Sequence, residues 1–263
     1  MSGAAGGGGP SPPAPLPRER GGGREAPAAG ALGFDLEAAS ARLEAATPAG
    51  RLAFALDAFG EGLLFTSSFG AGSGVLLHLW SRVAPGRPVV FVDTGFHFDE
   101  TLRYRDELAR LLGLRVEVAK PPHTMAEFVV EHGPDINVRD PDFCCARNKV
   151  DPLEPYRARA RAWVSGLRRD QSKTRAAVPI LRREPDGVVK VHPLATMTGD
   201  EARAYMAEHG VPEHPLVKRR YLSIGCEPCT RPVADGEDER AGRWAGTGKT
   251  ECGLHTRFGA PSS

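Results

Sequence analysis

Net charge is the first thing this sequence lacks. Its 34 lysines and arginines face 33 aspartates and glutamates, a balance of +1 over 263 residues. A field that weak gives no support to nucleic acid or a membrane surface as a partner, although local arginine clusters escape this argument. Long apolar runs are also missing, and nothing approaches the roughly 18 residues that a membrane helix needs. The first thirty residues, half of them Gly and Pro with charges of both signs, contain no hydrophobic stretch of the signal-peptide kind. Residues 1–32 therefore read as a disordered lead, and the chain as cytoplasmic. Cysteine is scarce and odd in number, at five, so a disulfide framework is not expected in that reducing compartment. No internal repeat is visible.

What is present alternates in period. "DLEAASARLEAA" and "AGRLAFALDAF" carry helical apolar spacing, "GLLFTSSFGAGSG" is a short apolar strand running into a Ser/Gly loop, and "VLLHLWSRV" returns to helix. The buried strand "PVVFVDTG", the helical "FDETLRYRDELARLLG", the strand "LRVEVA", a helix around "HTMAEFVVEHG" and the strand-like "RAWVSG" follow. This alternation predicts an α/β fold, a mostly parallel sheet flanked by helices, with ligands at the carboxyl ends of the strands. Three loops leave such ends: 67–74, 93–96 and 165–172.

The first loop, "SSFGAGSG", brings hydroxyls and glycines to a helix N-terminus, where backbone N–H groups can face a phosphate. No Lys followed by Ser/Thr closes it, which excludes a Walker loop. A plain flexible turn is the competing reading. "WVSGLRRDQSKTR" adds Arg168, Arg169, Lys173 and Arg175 beside Gln171 and Ser172, a set that a solvated surface would explain equally well.

The cysteines carry more. Cys144 and Cys145 are adjacent in "DFCCARNKVDPL", and Cys226 and Cys229 form a C-x-x-C in "SIGCEPCT". Neighbouring side chains on a helix diverge by about 100°, which suits separate iron corners of a cluster better than one tetrahedral zinc. Structural zinc, a C-x-x-C redox pair and buried apolar cysteines stand as alternatives. Cys252, in "KTECGLH", is left over. Arg240, Arg243, Lys249 and His255 surround it in sequence and favour a thiolate, while the adjacent carboxylate of Glu251 is expected to oppose one.

From Leu63 to His255 the chain resembles the assimilatory adenylyl-sulfate reductases, relatives of the phosphoadenylyl-sulfate reductases. The resemblance rests on "SSFGAGSGVLLHLW", "FVDTGFHFDETL", "CCARNKVDPL", "WVSGLRRDQSKTR", "SIGCEPCTRPV", "GEDERAGRW" and "KTECGLH", in that order. It implies an adenine-nucleotide α-hydrolase-like sheet in a nucleotide- and cluster-binding domain over 33–235, and a mobile catalytic segment over 236–263. It further implies one 4Fe-4S cluster on Cys144, Cys145, Cys226 and Cys229, and a nucleophile at Cys252. Lys149, Arg168, Arg240, Arg243 and His255 would gather around the phosphosulfate, with Ser67, Ser68 and Gly70 of the first loop also binding substrate. Gly72 and Ser73 stand where many relatives have an acidic residue.

The implied activity is reduction of adenosine 5'-phosphosulfate to sulfite and AMP through an S-sulfocysteine, with thioredoxin or a similar dithiol protein as reductant, in sulfate assimilation. Electron counting agrees, because sulfur must gain two electrons and a dithiol supplies two. Three rivals are kept: a reductase of the 3'-phosphorylated nucleotide, an ATP-dependent thiolation enzyme on the same sheet, and a non-catalytic metal-binding module. The expected partners include neither nucleic acid nor membrane, and a homo-oligomer is left open.

Overall fold

The structure, a computed structural model, describes residues 32–249 and 251–256. The expected lead thus lies, Leu32 apart, outside the described residues, as does the end of the expected mobile segment.

Two helices open the described chain. In α1 (Leu36–Leu43), Asp35 caps the first turn by accepting the amides of Glu37 and Ala38 at 2.9 and 3.1 Å. α2 (Pro48–Phe59) has Thr47 as its cap and Pro48 in its first turn. The α/β body follows as β1 (Leu63–Phe65), α3 (Gly74–Val83), β2 (Val89–Val92), α4 (Asp99–Leu112), β3 (Val116–Ala119) and α5 (Met125–His132). Next come α6 (Ile136–Arg139), α7 (Pro141–Cys145), a π-helical turn over Ala146–Val150, and α8 (Asp151–Arg157). β4 (Ala162–Val164), β5 (Leu181–Arg183), β6 (Val189–Val191), α9 (Gly199–Glu208) and the short α10 (Gly253–Thr256) complete the order.

The strands form a four-stranded sheet in the order β1-β4-β6-β5 and a parallel pair, β2-β3. Thr66 bridges Val90 in parallel, and the Ser67 amide donates to the Val90 carbonyl at 3.0 Å. The two pieces therefore run on as β3-β2-β1-β4-β6-β5. All pairings are parallel except β5 with β6. The order reverses between β1 and β4, which opens a crevice at their carboxyl ends.

Strand alternation divides the core between the faces. Leu63, Phe65, Val89, Phe91, Ala162 and Val164 join α1, α2, α3, α4 and α9 in one cluster, where Phe65 packs on Trp80 with ring centroids 4.8 Å apart. Leu64, Val90, Val92 and Trp163 face the other way, onto Leu153 of α8. The mostly parallel α/β expectation holds. The antiparallel β5–β6 hairpin and α9 are additions to it.

Candidate active site

The first loop is built to present its backbone. Phe69 has φ +49°, in the left-handed region that side chains other than glycine avoid, and its ring is fully buried edge-on to Phe91 at 5.8 Å. That buried ring holds the turn, and the Phe69 amide donates to Ser67 Oγ at 3.1 Å. A Cβ on Gly70 would stand 3.0 Å from the Ile224 carbonyl oxygen, so the loop lies directly against the segment leading to the C-x-x-C. Ser73 makes no side-chain cap on α3. The first amides of that helix are thereby left for an anion.

Beneath the loop is a cavity of about 240 Å³. Ser67, Ser68 and Gly70 line it from β1, His97 from the loop after β2, and Trp163, Ser165 and Gly166 from β4. Lys149, Arg175, Glu239, Arg240, Arg243 and Cys252 line it as well. The cavity thus brings uncharged N–H and hydroxyl groups together with four cations, one carboxylate and a thiol. Gly225 admits one of those cations, because a Cβ there would overlap the Arg243 guanidinium.

A second cavity, of about 150 Å³, is lined by Cys144, Cys145, Cys226 and Cys229. Asp140 caps α7 by accepting the Phe143 amide at 2.9 Å, and the π-helical turn directly after Cys145 re-aims the side chains that follow it. Cys226 is fixed from the other side: its backbone bridges His97, the Glu227 amide donates to the Phe96 carbonyl at 2.7 Å, and Thr94 Oγ1 lies 3.3 Å from its sulfur. Asn148 Nδ2 donates to the Cys144 carbonyl at 3.0 Å, and its Oδ1 accepts from His123 Nε2 at the same distance. Burial, and then the neighbouring Cys226 and Cys229, push the Cys144 thiol up to about 11. Among the described residues, no three His, Cys, Asp or Glu side chains close on a single metal ion.

Lys149 lines both cavities and is 9% exposed. Burial opposes its charge, yet the thiols of Cys226, Cys252 and Cys145 outweigh that penalty and hold the ammonium above its ordinary range. Cys252 is its counterpart. The Cys145 thiol, against the opposing effect of burial, and then Lys149, the Leu254 amide and Arg243 draw the Cys252 thiol well below its ordinary range.

Glu251 does not act on the thiol as the sequence led us to expect. Its carboxylate accepts from Arg175 Nε and Nη2 at 3.0 and 2.8 Å and from Arg240 Nη2 at 3.0 Å, so its charge is spent on two guanidiniums. Of the expected substrate groups, Ser67, Ser68, Gly70, Lys149, Arg240 and Arg243 meet at the first cavity with Cys252. Arg168 sits behind the loop, 4% exposed, paired with Asp170 at 3.0 Å and with Glu239 at 3.4 Å. Arg175 takes the place at the cavity that the sequence reading gave to Arg168. The side chain of His255 lies outside the described residues.

The profile of the phosphoadenosine phosphosulfate reductase domain matches residues 62–232. The chain belongs to this reductase family. An adenosine 5'-phosphosulfate reductase of Streptomyces coelicolor is 48% identical over 220 residues, 83% of this chain and 92% of that one. A phosphoadenosine 5'-phosphosulfate reductase of Gloeobacter violaceus is 43% identical over 232 residues, covering 86% and 96%. Among solved structures, a phosphoadenylyl-sulfate reductase of Candida auris, in a phosphate complex, superposes with a TM-score of 0.65 at 26% identity over 75% of this chain and 96% of that one. The match runs from β1 to just past the C-x-x-C. No helix among the described residues is long and apolar enough to cross a membrane.

Proposed function

We propose that this chain reduces adenosine 5'-phosphosulfate to sulfite and AMP, with Cys252 as nucleophile and a thioredoxin-like dithiol as reductant. The observation that carries the reading is one cavity lined both by an amide-rich loop suited to phosphate and by Cys252 with Lys149, Arg240 and Arg243. The Cys252 thiolate attacks the sulfur, the bond from sulfur to the bridging oxygen breaks, and AMP leaves with the electron pair. Lys149 and the arginines stabilise the charge that gathers on the departing phosphate. A dithiol then attacks Cys252 Sγ, sulfite leaves with the electron pair of the S–S bond, and the second thiol of the partner resolves the mixed disulfide. Sulfur gains two electrons, and the partner dithiol loses two.

The four paired cysteines fit a 4Fe-4S cluster. They line one cavity, and thiolates are the donors that such a cluster takes. When bound, the cluster would take up the thiolate charge and tie the α7 segment to the C-x-x-C. Lys149 lies between that site and the substrate cavity and contributes its charge to the latter. The odd cysteine count, five, and the lack of a signal-like stretch are the grounds for placing the protein in the cytoplasm.

The test is mass spectrometry of the cluster-loaded protein incubated with adenosine 5'-phosphosulfate and no reductant. A sulfonate adduct on the peptide carrying Cys252 is expected, with sulfite released when thioredoxin is added. Normal turnover by Cys252→Ser would refute the assignment.

A further inference from the structure

The segment that carries Cys252 has little regular structure to hold it. Gly246 and Gly248 lie between Trp244 and Glu251, and α10 after the cysteine has only four residues. Among the described residues, α10 packs on α7 and the π-helical turn, with Leu254 against the cluster of Leu153 and Trp163, and the side chains that pair ionically with the body are Lys249 and Glu251. Lys249, whose side chain is 5% exposed, meets Asp142, whose side chain is 82% exposed, through a single hydrogen bond to a carboxylate that stays in solvent. Glu251 is different. Its carboxylate is 21% exposed and takes three hydrogen bonds from guanidiniums whose side chains are 8% and 17% exposed. Charge-assisted contacts that are partly dried and held by Arg175 side-on are the strong kind.

The partners differ in what they do. Arg175 belongs to the body, 76 residues away in sequence, and a further hydrogen bond to Gln171 at 2.6 Å fixes it. Arg240 faces the substrate cavity. One carboxylate therefore joins the nucleophile's segment to the body and to a cation that is placed to receive the substrate anion. Glu251 and Cys252 are adjacent and joined by one peptide bond, so where Glu251 is held the cysteine backbone is held.

We propose that Glu251 is the latch of the nucleophile: its ion pairs with Arg175 and Arg240 seat Cys252 over the cavity for attack on the sulfonyl group, and must open for an external dithiol to reach the same sulfur. This rests on the reductase reading above. Glu251 is a positioning residue and touches no reacting atom. Its effect falls on one half of the cycle, whereas a residue needed for the fold would affect both.

The experiment takes cluster-loaded wild type and Glu251→Gln, which keeps the shape and removes the charge. Three rates are measured: S-sulfonation of Cys252 by adenosine 5'-phosphosulfate without reductant, sulfite release from the pre-sulfonated protein by dithiothreitol, and alkylation of Cys252 by iodoacetamide in the resting protein. The latch requires the first rate to fall at least tenfold, the second to hold or rise, and the third to rise severalfold. Arg175→Gln should reproduce the pattern from the other partner and covers the case in which Glu251→Gln fails to fold. Equal slowing of both half-reactions, or an unchanged alkylation rate, overturns the latch. Absence of any adduct in wild type would instead strike the reductase reading, and the alkylation comparison would still report on the latch.

Discussion

Lys190 offers a test of the energetics that is separate from the chemistry. It lies on β6, 2% exposed, with Nζ 3.1 Å from the Trp163 ring centroid and, among the described residues, no hydrogen-bond partner. Burial, only partly offset by Glu184, pushes its ammonium down from 10.5 to about 7. The sign follows from linkage. Between the folded and unfolded values the unfolded chain binds more protons, so stability rises with pH across that window, by about 1.4 kcal/mol per pH unit for one proton. The indole face works against the shift: a desolvated cation–π contact contributes about 2 kcal/mol, which restores roughly one and a half pH units and leaves a window of about two. The net effect is roughly 3 kcal/mol. Lys190→Met should therefore gain on wild type most at neutral pH, and the gap should shrink by about that amount towards pH 10. Urea midpoints of the two cluster-loaded proteins, taken at intervals of pH, measure it. A gap that stays constant or widens with pH refutes the argument.

Two further outcomes follow from the site. Cys226→Ser or Cys229→Ser should lose iron and acid-labile sulfide together, by metal and sulfide analysis, and lower the melting temperature because two distant segments are no longer tied; zinc at one per chain without sulfide would end the cluster reading. Gly225→Ala puts a methyl group where the Arg243 guanidinium lies, so kcat/KM should fall at least about tenfold, which is roughly 1.4 kcal/mol, with the circular dichroism spectrum unchanged.

Much of this was legible beforehand, for local reasons. β1, β2 and β4 are short apolar runs that lead into the loops starting Thr66-Ser67, Asp93-Thr94-Gly95 and Ser165-Gly166, and the amphipathic pattern of α4 ends at Gly113, which takes the left-handed conformation that its helix cap requires. Less visible were β5 and β6, because "LRR" and "VKV" are three-residue strands carrying charge, one of them a buried lysine. The turn between them had a signal, "EPDG", with Gly187 at φ +86°. α9 also had one, the Thr198–Glu201 capping box. The choice between Arg168 and Arg175 had no such signal, since both lie in irregular turns where no period says which side faces the cavity. The pairing of Glu251 with Arg175 is a contact across the fold, and no adjacent residue announces it.

The same pairings bear on which nucleotide the cavity accepts. A 3'-phosphate adds about two negative charges and needs a cation or a bidentate arginine near the ribose. From sequence, the basic residues of "GLRRDQSKTR" were available for that task. In the fold Lys173 is exposed and is not among the residues lining the cavity, and the arginines are committed. Arg169 forks onto Glu44 at 3.0 and 2.6 Å and donates to the Val178 carbonyl at 2.8 Å. Arg168, behind Gly72, is offset by Asp170 and Glu239, and Glu239 also lines the cavity. Arg175 is held by Glu251 and Gln171. The loop itself carries no cation. Repulsion from Glu239 and the cost of breaking one of these pairs both disfavour the larger nucleotide, so kcat/KM should be higher for adenosine 5'-phosphosulfate by at least about tenfold, or roughly 1.4 kcal/mol of transition-state binding. Both nucleotides are to be assayed with the same thioredoxin and the same cluster content. Equal or reversed ratios overturn this preference and leave the chemistry at Cys252 standing.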